Sequence, residues 1–134
     1  MQADEQLTGT WDLTSWTHEQ GEAIRDGAKP HGRIIYGADG KMAVVIGMPS
    51  GGAGLSRLRC LLARRTGLST AASFGYSGSY EVSGSEVVHH VEVSTVAEYV
   101  GQRFSRTFSV RGETLHFSYV GPAGRGSMTW RRVK

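Results

Sequence analysis

The sequence predicts an all-β chain in which eight antiparallel strands run up and down and close into a barrel, with one short helix added. Three observations carry that prediction. Apolar and polar residues alternate with period two over most of the chain, so each such segment offers one face to a core and one to water. Turn-forming residues interrupt the alternation about every eight to twelve residues, the spacing of a barrel or sandwich. The connections Asp39-Gly40, Ser83-Gly84-Ser85 and Arg111-Gly112-Glu113 are compact. Connections that short join antiparallel neighbours, because a parallel crossover needs about a dozen residues or more. A sequential meander of this kind removes both sheet edges by closing on itself.

The first strand is expected over Gly9 to His18. Arg33 to Tyr36 and Met42 to Met48 follow as a pair joined through Asp39-Gly40. Gly47-Met-Pro-Ser-Gly-Gly-Ala-Gly54 then reads as a flexible loop, since it lacks the Gly-Lys-Ser/Thr ending of a phosphate-binding loop. Leu55 to Arg65 is the one segment with helical spacing: Leu55, Leu58 and Leu62 share a face and the arginines point away. Such a helix would lid one mouth of the barrel. Tyr76 to Val82 and Glu86 to Thr95 form a hairpin about Ser83-Gly84-Ser85. Gln102 to Val110 and Thr114 to Val120 form another about Arg111-Gly112-Glu113, and Ser127 to Val133 is the last strand.

At 134 residues the chain has the length of a single domain spanning 1–134, large enough to bury its own core. Its one cysteine, Cys60, excludes an internal disulfide. The N-terminus is polar and no apolar run approaches a membrane span, so the expected location is cytoplasmic, with no membrane partner. The net charge is +3, but basic and aromatic residues are not interleaved on one strand face, which argues against nucleic acid. The histidines form no metal-ligand pattern, so no metal site is expected. Nucleotide, haem and flavin motifs are missing as well, so no cofactor is expected. A monomer or weak dimer suffices.

Chemistry is best sought where parity turns polar groups inward. His89 and His90 are adjacent on one strand and face opposite ways. His89 shares parity with Val87, Val91 and Val93 and is expected inside, either as a core histidine satisfied by a hydroxyl or as a general acid or base. Gln102, Phe104, Arg106 and Phe108 share a face, so Arg106 is expected inside, needing an acidic partner, carbonyls or an anionic ligand. Tyr36, Tyr76, Tyr80 and Tyr119 bring hydroxyls to the strands, beside Trp16, Met42, Val44, Phe117 and Trp130. With Phe104 and Phe108 they would line an apolar, aromatic cavity that takes a hydrophobic small molecule. Parity alone leaves open whether Trp16 or Ser15, and Tyr36 or Ile35, faces inward.

Gly9-Thr10-Trp11 and Trp130-Arg131-Arg132 resemble the lipocalin signature. Leu7 to Trp16, Gly32 to Tyr36 with Asp39-Gly40 and Met42, Tyr76 to Tyr80, and Val87 to Ser94 resemble successive landmarks of the bacterial lipocalin-like domain family. The resemblance covers nearly the whole chain. It implies a lipocalin-like barrel whose Trp11 closes one end under an arginine, Arg106 or Arg131. It also implies an accessory role in bacterial metabolism, including natural-product pathways. Two functions remain, and the first is favoured because a carrier has less need of a histidine, an arginine and several tyrosines inside one cavity. One is a cofactor-free isomerase or cyclase acting on a hydrophobic intermediate, with His89 moving a proton and Arg106 and Tyr80 steadying an oxyanion. The other is a non-catalytic carrier of such a molecule. An interior in which protein groups engage both His89 and Arg106 would favour the carrier.

Overall fold

The computed structural model describes residues 5–18, 21–22, 31–47, 73–121 and 124–134. Among them the strands are β1 Gly9–His18, β2 Gly21–Glu22, β3 His31–Tyr36, β4 Lys41–Gly47, β5 Phe74–Ser83, β6 Glu86–Ser94, β7 Arg103–Arg111, β8 Thr114–Gly121 and β9 Gly124–Arg132. One 3-10 turn, Ala97–Tyr99, precedes β7. Strand β2 is a two-residue return on the end of β1. The other eight pair antiparallel in chain order, and β9 pairs back onto β1. The fold is therefore the closed eight-stranded antiparallel barrel that the alternation predicts. The helix expected over Leu55 to Arg65 lies outside the described residues.

The strand ends follow the turns. Ser83 pairs with Glu86, and Arg111 with Thr114, so each hairpin has a two-residue loop opened by a glycine with positive φ, Gly84 or Gly112. That geometry suits the right-handed twist of the flanking strands. It also carries β7 one residue further than expected, to Arg111.

Two bulges set which residues reach the interior. In β1, Leu13 pairs with Trp130 but Ser15 pairs with Thr129, leaving Thr14 as the extra residue. Thr14 Oγ1 donates to the Thr129 carbonyl at 2.9 Å. The inward set thereby passes from Trp11 and Leu13 to Trp16, which settles Trp16 over Ser15. In the β5–β6 pair, Ser77 faces Val93 and Gly78 faces Val91, so Glu92 is skipped. Val93, expected inside with His89, is consequently 67% exposed. No bulge disturbs β3: Ile34 and Tyr36 are buried and Ile35 faces out.

The β3–β4, β5–β6 and β7–β8 turns lie at one end of the barrel, and that end is plugged. Leu7 and Trp11 are fully buried there, and Trp11 Nε1 donates to the Leu7 carbonyl at 2.9 Å. The guanidinium over Trp11 belongs to Arg132, 4.1 Å from the ring centroid, and it donates to the carbonyls of Thr8 at 3.0 Å and Gln6 at 2.9 Å. This corrects the assignment of that role to Arg106 or Arg131. Trp130 points inward, so Arg131 must point out and Arg132, the register partner of Trp11, comes back over the end. Replacing Arg132 with Met is expected to cost about 2 kcal/mol, from the lost cation–π contact and two unmatched carbonyls. Urea denaturation of wild type and variant checks this.

Candidate functional site: a cavity at the wide end

The barrel end opposite the Trp11 plug holds a cavity of about 640 Å³. Ring contacts build its collar. Trp16 meets Phe74 edge-on, Phe74 meets Tyr99, Tyr99 meets Phe104 and Phe104 meets Tyr76, with ring centroids 5.1 to 6.4 Å apart. Deeper in, Phe117 packs edge-on against Trp130 and His89. Ile34, Val44, Ile46 and Met128 complete the apolar wall among the described residues.

His89 is the one buried polar residue of the described core, 1% exposed. Strand β6 turns it inward between Val87 and Val91, while His90 faces out and donates from Nε2 to Glu81 Oε1 at 2.9 Å. Both His89 nitrogens are engaged: Nε2 lies 2.6 Å from the Tyr36 hydroxyl and Nδ1 lies 2.6 Å from the Tyr76 hydroxyl. Burial first, then the positive charge of Arg106 and the neighbouring His90, push the imidazole pKa down to about 3. At neutral pH it is therefore uncharged. Burial in turn raises the Tyr76 phenol to about 12, against a smaller pull from Arg106, and raises Tyr36 well above its usual value. Tyr36, His89 and Tyr76 form a neutral hydrogen-bonded row running from the packed core to the cavity wall.

Arg106 shares the inward parity of Phe104 and Phe108 and is half-buried at the rim. Its guanidinium lies 4.5 Å from the Tyr119 ring centroid and 5.6 Å from that of Phe104, and Nη1 donates to the Ser105 carbonyl at 3.1 Å. Two aromatic faces and a carbonyl thus take the place of the acidic partner that full burial would demand. Across the rim, Trp16 Nε1 donates to the Tyr119 hydroxyl at 2.7 Å.

Of the residues expected to line a cavity, Trp16, Val44, Tyr76, Phe104, Phe117, Tyr119 and Trp130 do so, together with His89 and Arg106. Tyr80 does not. Its hydroxyl donates to the Gly37 carbonyl at 2.8 Å, in the β3–β4 turn at the plugged end, where it holds backbone rather than a ligand. Met42 and Phe108 are buried away from the cavity, and Tyr36 reaches it only through His89. Each has inward parity but sits too far down the barrel axis. The sequence reading missed Phe74 and Tyr99. Tyr99 enters the collar from the 3-10 turn, where strand parity has no say. No group of three or more potential metal ligands occurs among the described residues, and no helix among them is long and apolar enough to cross a membrane.

Comparison with known proteins agrees with this geometry at the level of fold. A search of curated protein sequences finds no match. Among solved structures, a redesigned β-barrel superposes with a TM-score of 0.55 at 13% identity, covering 99% of this chain and 96% of that one. A de novo designed fluorescence-activating β-barrel gives 0.53 at 16% identity, covering 99% of each chain. A variant of the fluorescent protein UnaG gives 0.46 at 12% identity, covering 97% of this chain and 98% of that one. At such identities the likeness to the two designed barrels speaks to fold alone. The sequence profile of the lipocalin-like domain matches residues 8–133, and with it the barrel, the Trp11 plug and the arginine above it find their place: the chain belongs to the lipocalin-like domain family.

Proposed function

We propose that this barrel binds a small apolar molecule with an aromatic framework in the cavity at its wide end. The observation that carries the reading is the cavity itself, about 640 Å³ and walled mainly by ring faces and aliphatic side chains, with polar groups that include His89, Arg103, Ser105 and Arg106. Small-molecule sites typically span about 300 to 1,000 Å³ and have this character. The state of His89 and Arg106 supports binding ahead of turnover. Tyrosines bond both imidazole nitrogens, and the guanidinium lies over two rings and on a backbone carbonyl. The same reading takes the working unit to be a monomer or weak dimer in the cytoplasm, with neither nucleic acid nor membrane as partner.

A cofactor-free isomerase or cyclase of natural-product metabolism is the second reading, and one observation favours it. The Tyr36–His89–Tyr76 row ends at the cavity wall, so a proton leaving or reaching a bound molecule at Tyr76 has a hydrogen-bonded path inward. Arg106 would then steady an anionic oxygen.

The binding reading predicts that N-phenyl-1-naphthylamine gains emission on mixing with the protein and raises its melting temperature. Saturation at about 100 times Kd adds about 2.7 kcal/mol of stability. No change in either signal would defeat the proposal. Exchange of the α-hydrogens of 2-tetralone in deuterium oxide separates the second reading. Protein-catalysed exchange that falls about 100-fold in Tyr76→Phe supports catalysis, and exchange at the buffer rate supports binding alone.

A further inference from the structure

We infer that the cavity selects ligands bearing a hydrogen-bond-accepting oxygen, a ketone, enolate or phenolate on the aromatic framework, and that the Tyr76 hydroxyl is the donor that reads it. The inference rests on the binding reading above and names the class of molecule bound. Its basis is proton bookkeeping along the buried row. A neutral imidazole has one N–H and one bare nitrogen, so one tyrosine donates to His89 and the other accepts from it. The accepting tyrosine keeps a hydroxyl proton that must find another partner.

Tyr36 is 1% exposed, lies off the cavity, and has no second hydrogen-bond acceptor among the described residues. Leaving its proton unmatched would cost the full penalty of a buried orphan donor. Tyr36 therefore donates to Nε2, Nδ1–H donates to the Tyr76 oxygen, and the spare proton belongs to Tyr76. Tyr76 and His89 both line the cavity, but the single imidazole N–H is already given to Tyr76, so the Tyr76 hydroxyl is the group of the row whose proton an acceptor in the cavity can take. Tyr36 and His89 act as positioning residues: they fix the imidazole tautomer and so hold Tyr76 as a donor rather than an acceptor.

The charge nearby has the matching sign. Phe104 contacts both groups, its ring centroid 5.5 Å from that of Tyr76 and 5.6 Å from the Arg106 guanidinium carbon. A ligand oxygen held by Tyr76 thus sits on the side of the cavity where positive charge favours an anionic or strongly polarised acceptor. A pure hydrocarbon satisfies neither group.

Fluorenone and fluorene, which share a tricyclic frame and differ by a carbonyl against a methylene, provide the test. Wild-type protein is expected to bind fluorenone about tenfold more tightly, the scale of one hydrogen bond to a buried donor. In Tyr76→Phe that ratio should fall to about one. Equal affinities in the wild type, or a preference for fluorenone that survives in the variant, would overturn the inference and leave the binding function standing. Failure of both compounds to bind would overturn both. Nitrogen NMR of His89 supplies an arm that needs neither ligand nor variant. The proton is expected on Nδ1, and a proton on Nε2 would overturn the assignment of Tyr76 as donor.

Discussion

Acidification from pH 6.5 to 4 is expected to cost the barrel about 3 kcal/mol through His89 alone. The imidazole titrates near 6.5 in an unfolded chain and near 3 in the folded protein, chiefly because burial disfavours its charged form. Above pH 6.5 both states are neutral and the residue adds no pH dependence. Between 6.5 and 3 the unfolded chain binds a proton that the folded one refuses, so stability falls by about 1.4 kcal/mol for each unit of acidification. Below 3 the loss is complete. Surface carboxylates titrate over part of the same range, and a His89→Gln variant separates them, since it keeps a donor and an acceptor between Tyr36 and Tyr76 but carries no titrating ring. Urea unfolding at a series of pH values should show the steep slope in wild type and a shallower one in the variant. Parallel slopes would mean that His89 is not held neutral by burial.

The largest effect of a single methyl group is expected at Gly78. The bulge that skips Glu92 brings the His90 carbonyl against this residue, and a Cβ built on Gly78 would lie 1.7 Å from that oxygen. Because the clash is with backbone, no rotamer relieves it. Gly78→Ala must break the β5–β6 register beside His89, at a cost of at least about 3 kcal/mol. Gly84 gives the contrasting case. Its φ of 59° is left-handed, but nothing lies within 4 Å of an added Cβ. Gly84→Ala is expected to cost about 1 kcal/mol from backbone strain alone. Thermal melts of the two variants should rank in that order, and a Gly78→Ala protein as stable as Gly84→Ala would refute the bulge geometry.

These residues show what was legible in the sequence. Alternation and compact glycine turns locate every barrel strand among the described residues to within three residues at either end, because period two and antiparallel pairing are local properties. Parity also turns His89, Phe104 and Arg106 inward correctly. It fails wherever a bulge intervenes, as at Thr14 and Glu92, because one extra residue sends every later side chain to the other face. Nor does parity say how deep in the barrel an inward residue sits. Tyr80, Met42 and Phe108 face the axis as surely as Tyr76 does, yet they pack the plugged end while Tyr76 meets the cavity. Depth depends on strand tilt and stagger, which belong to the closed barrel as a whole. Arg132 was within reach: it is two residues beyond Trp130 and so shares its face. The Tyr36–His89–Tyr76 row joins three strands whose order follows from the meander, but the meeting of hydroxyl and imidazole depends on three-dimensional packing.

The central claim, that a small molecule enters the cavity at the wide end, is tested most directly by the three tryptophan indole N–H signals in a two-dimensional NMR spectrum. Trp11 is sealed at the plugged end and donates to the Leu7 carbonyl, whereas Trp16 forms part of the collar and Trp130 lines the interior. On titration with fluorenone, the Trp16 and Trp130 signals are expected to move in a saturable way while that of Trp11 stays in place. Movement of Trp11 alone, or of none of the three at ligand concentrations up to its solubility, would contradict the claim.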